Sequence, residues 1–421
     1  MVMDADRLRA ETPGCQSGLV HLNNAGASLM AAPVSQAVFD HLALEQSIGG
    51  YEAAARQSHL IDQAYQAAAD LVGGKRSEIA LLDNATRAWQ AIFYAMDWQP
   101  GDRVVTGHAE YNSNMIAFRH AADRFGIEVV LADDDGNGAL DPSALEALID
   151  SRTRLICVSH MPTNDGLINP VEEIGAIARR HTIPFLLDAC QSAGQMPIDV
   201  GRIGCTMLSA TGRKYLRGPR GTGFLWIRQD WIERLSPHVL DIRSAEWVAV
   251  DDYRIVDNAT RFELWESNVA AHIGFGVACR YALDTGVADI WARIKTLSNT
   301  LRTDLAALPG FNLRDRGREK SGIVTFSHQH LPAETIVSRL RNEWSINTSV
   351  SATQLTRTEL IEQGITQLVR ASVHAYNTHE DINRLIHALN ALATDQPDHH
   401  NRESGRNSSM GAKQDVLNEE D

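Results

Sequence analysis

Between Glu78 and Ile227 short apolar runs alternate with longer segments of helical spacing, and few architectures accommodate that rhythm. Strands are expected at Ile79–Leu82, Arg103–Thr106, Val129–Ala132, Leu155–Ser159, Pro184–Leu187, Met207–Ala210 and Gly223–Ile227. Helix-period segments such as Ala85–Met96, Tyr111–Phe125 and Pro170–His181 lie between them. Strand, helix, strand in repetition argues for an α/β fold, a mostly parallel sheet covered by helices on both faces. In such sheets ligands bind at loops beyond the carboxyl ends of the strands, so motifs are sought there.

After Trp231 the pattern becomes loop-rich, then gives a long helical run from about Asn268 to Leu308 that Pro309-Gly310 should stop. A strand at Gly322–Ser327, a helix after Pro332, a strand near Leu368–His374 and a helix over Glu380–Leu392 read as a smaller C-terminal α/β domain. The expected organisation is an N-terminal segment at 1–30, a large domain at 31–265, a small domain with its linking helix at 266–395, and a tail at 396–421. In that tail only Met410, Val416 and Leu417 are sizeable apolar residues, so burial cannot offset ordering entropy and an acidic, disordered tail is expected.

Charge narrows the partners. With 39 Lys and Arg against 53 Asp and Glu the formal net charge is −14, and no block of five basic residues offers a footprint for nucleic acid. No apolar stretch approaches the roughly 20 residues needed to cross a bilayer. Acidic residues stand at the N-terminus where a signal peptide would be basic, and five dispersed cysteines without a CxxC pair read as reduced thiols, so a cytoplasmic protein is expected.

Two motifs fail on inspection. Asp133-Asp-Asp-Gly-Asn137-Gly138 fits the first half of a calcium loop, but Ala144 stands where a bidentate Glu is required, and a polar turn between strand and helix is the better reading. Gly218-Pro-Arg-Gly-Thr-Gly223 has neither Walker nor GxGxxG spacing and leads into a strand, so no nucleotide fingerprint is present. No metal site is expected.

The informative stretch runs from Phe185-Leu-Leu-Asp188-Ala-Cys-Gln191 to Ser209-Ala-Thr211-Gly-Arg213-Lys214. An Asp ending a buried strand is costly unless something cationic meets it, and a Lys after small and hydroxylated residues is well placed for the same cleft. Taken alone, the pair is equally an ordinary strand-end Asp and a solvated Lys.

Eight motifs in order resemble one family across roughly residues 20 to 392: Asn23-Asn-Ala-Gly26, Asn84-Ala-Thr-Arg87, Ala109-Glu-Tyr-Asn-Ser-Asn114, Ser159-His-Met-Pro-Thr163, Gly166-Leu-Ile-Asn-Pro170, Asp188-Ala-Cys-Gln191, Thr211-Gly-Arg-Lys214 and Arg370-Ala-Ser-Val-His-Ala-Tyr-Asn377. They resemble the class-V aminotransferases and cysteine desulfurases, enzymes of fold type I that use pyridoxal 5'-phosphate (PLP). The resemblance implies a large domain with a seven-stranded, mostly parallel sheet, a smaller C-terminal domain, an amino-acid substrate, and a homodimer with sites at its interface.

It also implies roles. Lys214 would carry PLP as a Schiff base and, once displaced, act as the base at Cα; Asp188 would hold the pyridine nitrogen protonated. Gln191 and Thr163 would reach the phenolic oxygen. The Ala85 and Thr86 backbone, with Thr211 and Arg213, would hold the phosphate. Tyr111 takes the place of the stacking ring, usually His in desulfurases, and is a poor acid or base near neutrality. Ser267 fits a phosphate ligand supplied by a partner subunit, or a helix cap. Arg370 would take the substrate α-carboxylate, with Asn24 near it. Arg217, Arg220, Arg243, Arg254, Arg261 and Trp265 are candidates for the substrate mouth.

The sequence departs from the desulfurases in one respect. Their small domain carries an attacking cysteine on a loop, and the corresponding stretch, Ser345 to Arg357, has none; no cysteine follows Cys279. Classical persulfide-forming desulfuration is therefore not expected. The stretches Arg213 to Gly221 and Arg261 to Glu266 resemble a subgroup that includes ergothioneine-pathway sulfoxide lyases and isopenicillin N epimerase-like proteins. C–S lysis of a cysteine conjugate is then the first reading. Aminotransfer, epimerisation and decarboxylative deamination stay open, because no motif separates them.

Overall fold

Residues 4–353, 360–361 and 363–394 are described by a computed structural model; the tail expected at 396–421 lies outside them. The central sheet comprises β2 (Ile79–Leu82), β3 (Arg103–Gly107), β4 (Glu128–Ala132), β5 (Thr153–Ser159), β6 (Phe185–Asp188), β7 (Met207–Thr211) and β8 (Gly223–Ile227), preceded in the chain by the two-residue β1 (Val20–His21). Its spatial order is β2-β8-β7-β6-β5-β3-β4. Only β8 runs against its neighbours; the other pairs are parallel. Each strand lies within two residues of where the apolar runs place it.

Why the runs are continuously apolar is visible in the packing. Val105, Ile156, Leu187, Leu208 and Phe224 face one core, which includes Phe275 and Leu297. Their chain neighbours Val104, Leu155, Leu186, Met207 and Leu225 face a second, with Trp89, Phe93 and Phe118. A period of two with both faces covered keeps these runs apolar, with small hydroxyls such as Ser209 and Thr106 the exceptions before the strands end.

Helices start and stop where backbone chemistry directs. Ala85–Phe93 begins at Asn84, whose Oδ1 accepts the Arg87 N–H at 2.9 Å. The helix Asn112–Phe125 ends at Gly126 with φ 71°. The single long run expected from Asn268 is two helices, Val269–Thr285 and Val287–Ala306, because Gly286 sits at φ 89° and breaks the hydrogen-bond ladder between them. The Asp133 to Gly138 stretch is a polar turn: Asp135 Oδ1 accepts the N–H groups of Asn137 at 2.8 Å and Ala139 at 3.1 Å.

A hairpin of β9 (Ala245–Ala249) and β10 (Asp252–Ile255) follows the central sheet. A second, antiparallel sheet has the order β11 (Phe311–Leu313), β12 (Ile323–His328), β15 (Gln367–Ser372), β14 (Ser349–Ala352). The sequence pattern predicts β12 and β15 but not β9, β10, β11 or β14, which are short or face solvent; Trp247 in β9 is 75% exposed. Ahead of β14, the two-residue β13 (Ile346–Asn347) pairs in parallel with β1. Arg9 reaches Asp381 at 3.0 Å, so part of the N-terminal segment packs on the C-terminal part. Among the described residues no helix is long and apolar enough to cross a membrane.

Strand β8 is drawn tightly against the start of helix Ala85–Phe93. A Cβ on Gly223 would lie 2.6 Å from the Asn84 carbonyl carbon and 2.7 Å from the Ala85 nitrogen. Gly223→Ala should therefore cost about 1–3 kcal/mol through overpacking. Thermal unfolding of the cofactor-free protein should show a lowered Tm; an unchanged Tm would refute this close approach.

Candidate active site

Strands β2, β3, β5, β6 and β7 end at one edge of the sheet, and the residues just beyond them enclose a cavity of about 230 Å³. Asn84, Ala85 and Thr86 follow β2, and Tyr111 follows β3. Ser159, Met161 and Thr163 come from the end of β5, Asp188, Cys190 and Gln191 from β6, and Thr211, Arg213 and Lys214 from β7. The strand order turns back between β3 and β5, which opens the crevice that the cavity occupies.

Asp188 is buried at the last position of β6. Its Oδ1 accepts the Cys190 N–H at 2.9 Å and its Oδ2 accepts Asn114 Nδ2 at 3.1 Å. Lys214, equally buried, projects from the turn after β7 with Nζ 5.8 Å from the centroid of the Tyr111 ring. Burial pushes its amine down to about 8; Arg213 and Arg370 push the same way, while Asp188 opposes them. With a value near 8, about one molecule in ten carries the neutral amine at pH 7, far more than for an ordinary lysine.

At the opposite end, the N–H groups of Ala85 and Thr86 belong to a first helical turn and have no intrahelical acceptor. Thr211 and Arg213 flank them across the cavity. Arg213 is itself anchored by a hydrogen bond to the Gly26 carbonyl, and its own carbonyl accepts the Ser28 N–H at 2.9 Å.

Arg370 rises from β15 to touch the cavity wall. Its guanidinium donates to Thr163 Oγ1 at 2.7 Å, Thr163 O at 2.8 Å, Ser349 Oγ at 3.0 Å and Asn23 Oδ1 at 3.3 Å. Every one of these acceptors is neutral. Burial pulls Arg370 down to about 10, so it remains cationic near neutrality without a carboxylate partner. Thr163 Oγ1 also accepts Gln191 Nε2 at 2.9 Å, and with two donors already pointing at it, its own proton is directed elsewhere.

Other sequence candidates stand apart from this group. Asn24 is fully buried and occupied: Nδ2 donates to Ser372 O at 2.7 Å, and Tyr376 donates to its Oδ1. It supports the wall and does not face the cavity. Ser267 lines a separate cavity of about 610 Å³ with Tyr51, Tyr65, Arg243, Trp265 and His272. Several mouth arginines are committed to structure. Arg217 is buried, donating to Leu29 O at 2.9 Å; Arg243 pairs with Glu263 at 2.8 Å, Arg254 with Glu246, and buried Arg261 donates to Ile232 O at 2.8 Å. Sequence reasoning did not single out Met161, Ser159 or Cys190 as cavity residues, nor Glu110 and Asn114 behind Asp188. The last two stand in the Ala109 to Asn114 motif, which was their only signal.

Residues 20–385 match the family model described as aminotransferase class-V. The chain belongs to this family. A probable cysteine desulfurase of Methanothermobacter thermautotrophicus is 28% identical over 381 residues, covering 89% of this chain and 94% of that protein. The apo structure of a cysteine desulfurase from Thermococcus onnurineus NA1 superposes with a TM-score of 0.86 at 25% identity, covering 94% of this chain and 99% of that one. C-DES, described as a cystine C–S lyase, shares the fold at 24% identity. Its lysine-to-alanine mutant, with glycine covalently linked to the PLP cofactor, gives a TM-score of 0.82 over 91% of this chain and 98% of that one.

Family members are PLP enzymes, and PLP is the cofactor here. The cavity suits it. Its lining brings together a carboxylate, helix-start N–H groups, a guanidinium and an amine of depressed basicity. Gln191 Oε1 is buried within it with no partner among the described residues.

Only the neutral Lys214 amine is nucleophilic, and the neutral fraction rises with pH. Recombination of the cofactor-free protein with PLP should therefore accelerate up to a half-maximal pH of about 8, well below the ordinary lysine value of 10.5. Stopped-flow absorbance gives this profile, and a midpoint near 10 would refute the buried setting of the amine.

Proposed function

We propose that this enzyme breaks the Cβ–S bond of a cysteine S-conjugate or cysteine sulfoxide, beginning with removal of the Cα proton. Substrate and one water would give pyruvate, ammonia and the thiol, or the sulfenic acid from a sulfoxide. The observation that carries the reading is a cavity equipped for Cα chemistry without a thiol suited to attack sulfur. The stretch from Ser345 to Arg357 has no cysteine. Cys190 in the cavity wall is pushed well above the usual thiol range by burial and by Asp188, so it stays protonated and is a poor nucleophile. The desulfurases named above are relatives of this chain; passing sulfur to an enzyme thiol is the step for which it lacks the part.

PLP, when bound, supplies the electron sink for the pair left at Cα. Lys214 takes the Cα proton, as its depressed basicity suits near-neutral pH. Asp188 holds a proton on the ring nitrogen. Arg370 exchanges Thr163 for the substrate carboxylate and thereby orients the Cα–H bond. Thr163, still accepting Gln191 Nε2, would offer its proton to the ring oxygen beside Gln191. Ala85, Thr86, Thr211 and Arg213 would hold the phosphate, and Tyr111 would pack against the ring. Asn24 braces the strand that carries Arg370.

A homodimer is part of this reading. Tyr51 and Trp265, each at least half exposed, line the same cavity as Ser267, and a second copy would cover them while bringing its Ser267 to the phosphate. The Arg213 to Gly221 and Arg261 to Glu266 stretches support the sulfoxide-lyase and epimerase-like subgroup.

The purified, PLP-loaded enzyme should release pyruvate from cysteine S-conjugates or sulfoxides but not from plain amino acids, and Lys214→Ala should abolish this. Conversion to the pyridoxamine form without pyruvate, reversed by a keto acid, would make it an aminotransferase instead. Arg370→Ala should raise KM by about two orders of magnitude with a smaller loss in kcat, through loss of the carboxylate contact.

A further inference from the structure

Behind Asp188 lies a second buried carboxylate with no cation beside it. Glu110 follows β3 and is 6% exposed, and among the described residues no lysine or arginine pairs with it. Its Oε1 accepts the Tyr111 N–H at 2.7 Å, Asn114 Nδ2 at 2.9 Å and the Ser159 hydroxyl. Its Oε2 accepts the Ser159 N–H at 3.0 Å and Thr106 Oγ1 at 3.3 Å. The Tyr111 N–H, the Ser159 N–H and the Asn114 amide can only donate to it and favour the anion, whereas burial and the neighbouring Asp188 raise its basicity; a positive charge beyond Asp188 tips that balance toward the anion. Asn114 places its single NH2 between the two acids, 2.9 Å from Glu110 and 3.1 Å from Asp188.

Such an arrangement is costly for a fold and gains nothing in packing that an apolar side chain would not supply. It makes sense if a positive charge is to be held on the far side of Asp188. We propose that Glu110 is a positioning residue whose negative charge, relayed beside Asn114, strengthens the grip of Asp188 on the proton of the cofactor's ring nitrogen. This rests on the reading of Asp188 as the partner of that nitrogen.

Other groups facing the pair are Cys157 on β5, Cys190 after β6, and Lys214 and Arg213 after β7. The two thiols are pushed up by burial and by these carboxylates, and stay neutral. Lys214 and Arg213 belong to the cavity side, so Glu110 is the charge that acts on Asp188 from behind. Asn114, donating to both acids, moderates their basicity.

The test uses holoenzyme reconstituted with PLP labelled with 15N in the ring, followed by 15N NMR and by absorbance across pH. In the wild type the ring nitrogen should stay protonated through the range where the protein is folded. Glu110→Gln should still bind PLP but weaken the hold on that proton by about tenfold or more, so that it titrates within the accessible range. Glu110→Asp, which keeps the charge, should restore it. Asn114→Ala removes a donor from Asp188 and should hold the proton at least as tightly as the wild type, whereas a merely loosened site would release it. An unshifted nitrogen in Glu110→Gln would overturn the proposal. If that variant fails to load PLP, release of the proton in Asn114→Ala would do so. Asp188→Ala separates the two layers: a nitrogen unchanged there would sink the reading of Asp188 itself, while its loss there with no change in Glu110→Gln removes only the role of Glu110.

Discussion

A carboxylate at the last position of a wholly apolar strand is the interaction around which this structure is arranged. Burying Asp188 costs several kcal/mol unless its lone pairs are met. The fold meets them with the Cys190 N–H from the following turn and the Asn114 amide from the helix after β3. Both donors leave the cavity side of the carboxylate open. Lys214 arrives there from the next strand in the sheet, because β6 and β7 pair in parallel with Asp188 opposite Ser209, and the turn after Thr211 returns over the same edge. The site is therefore a consequence of parallel registry: five carboxyl ends come level, and each contributes the residues just past its strand.

The second constraint is that the cavity wall belongs to two sheets. Arg370 is on β15, yet its hydrogen bonds run to Thr163 beyond β5 and to Asn23. Nearby, Arg316 bonds Asp165 at 2.8 Å and Gly322 N donates to Gln195 at 2.6 Å, so the segments carrying Thr163 and Gln191 are tied to the smaller sheet on either side. A displacement of that sheet would reach the cavity first through Thr163.

How much of this was legible in the sequence depends on which residues are under a single dominant constraint. The inner strands of the central sheet are buried on both faces and the half-buried edge strand β4 is apolar over 129–132, so the apolar runs mark all seven to within two residues. The hairpin β9–β10 and the edge strands carry polar or exposed side chains and leave no such trace. The break at Gly286 was missed because the apolar period continues across it, and only the backbone conformation separates the helices. At the site, residues that follow strands in recognisable motifs were found together, Lys214 and Asp188 foremost. Residues read as mouth arginines were not, since an arginine's partner can be a distant carbonyl or acid that linear spacing does not reveal; Arg217 and Arg261 are bound to backbone oxygens far along the chain. Glu110 carries no spacing signature either. Its meaning comes from the neighbour that the sheet brings to it.

The pairing of β1 with β13, and of Asn24 with Ser372, joins the two ends of the chain, the latter across 348 residues. Contacts of that separation form late, since the intervening loop must close before they repay its entropy. During synthesis, β1 and Asn24 must wait for these partners until nearly the last strand has left the ribosome. The wall that holds Arg370 is thus among the last parts of the molecule to be assembled, and a nascent chain that has already folded its central sheet still lacks that side of the cavity.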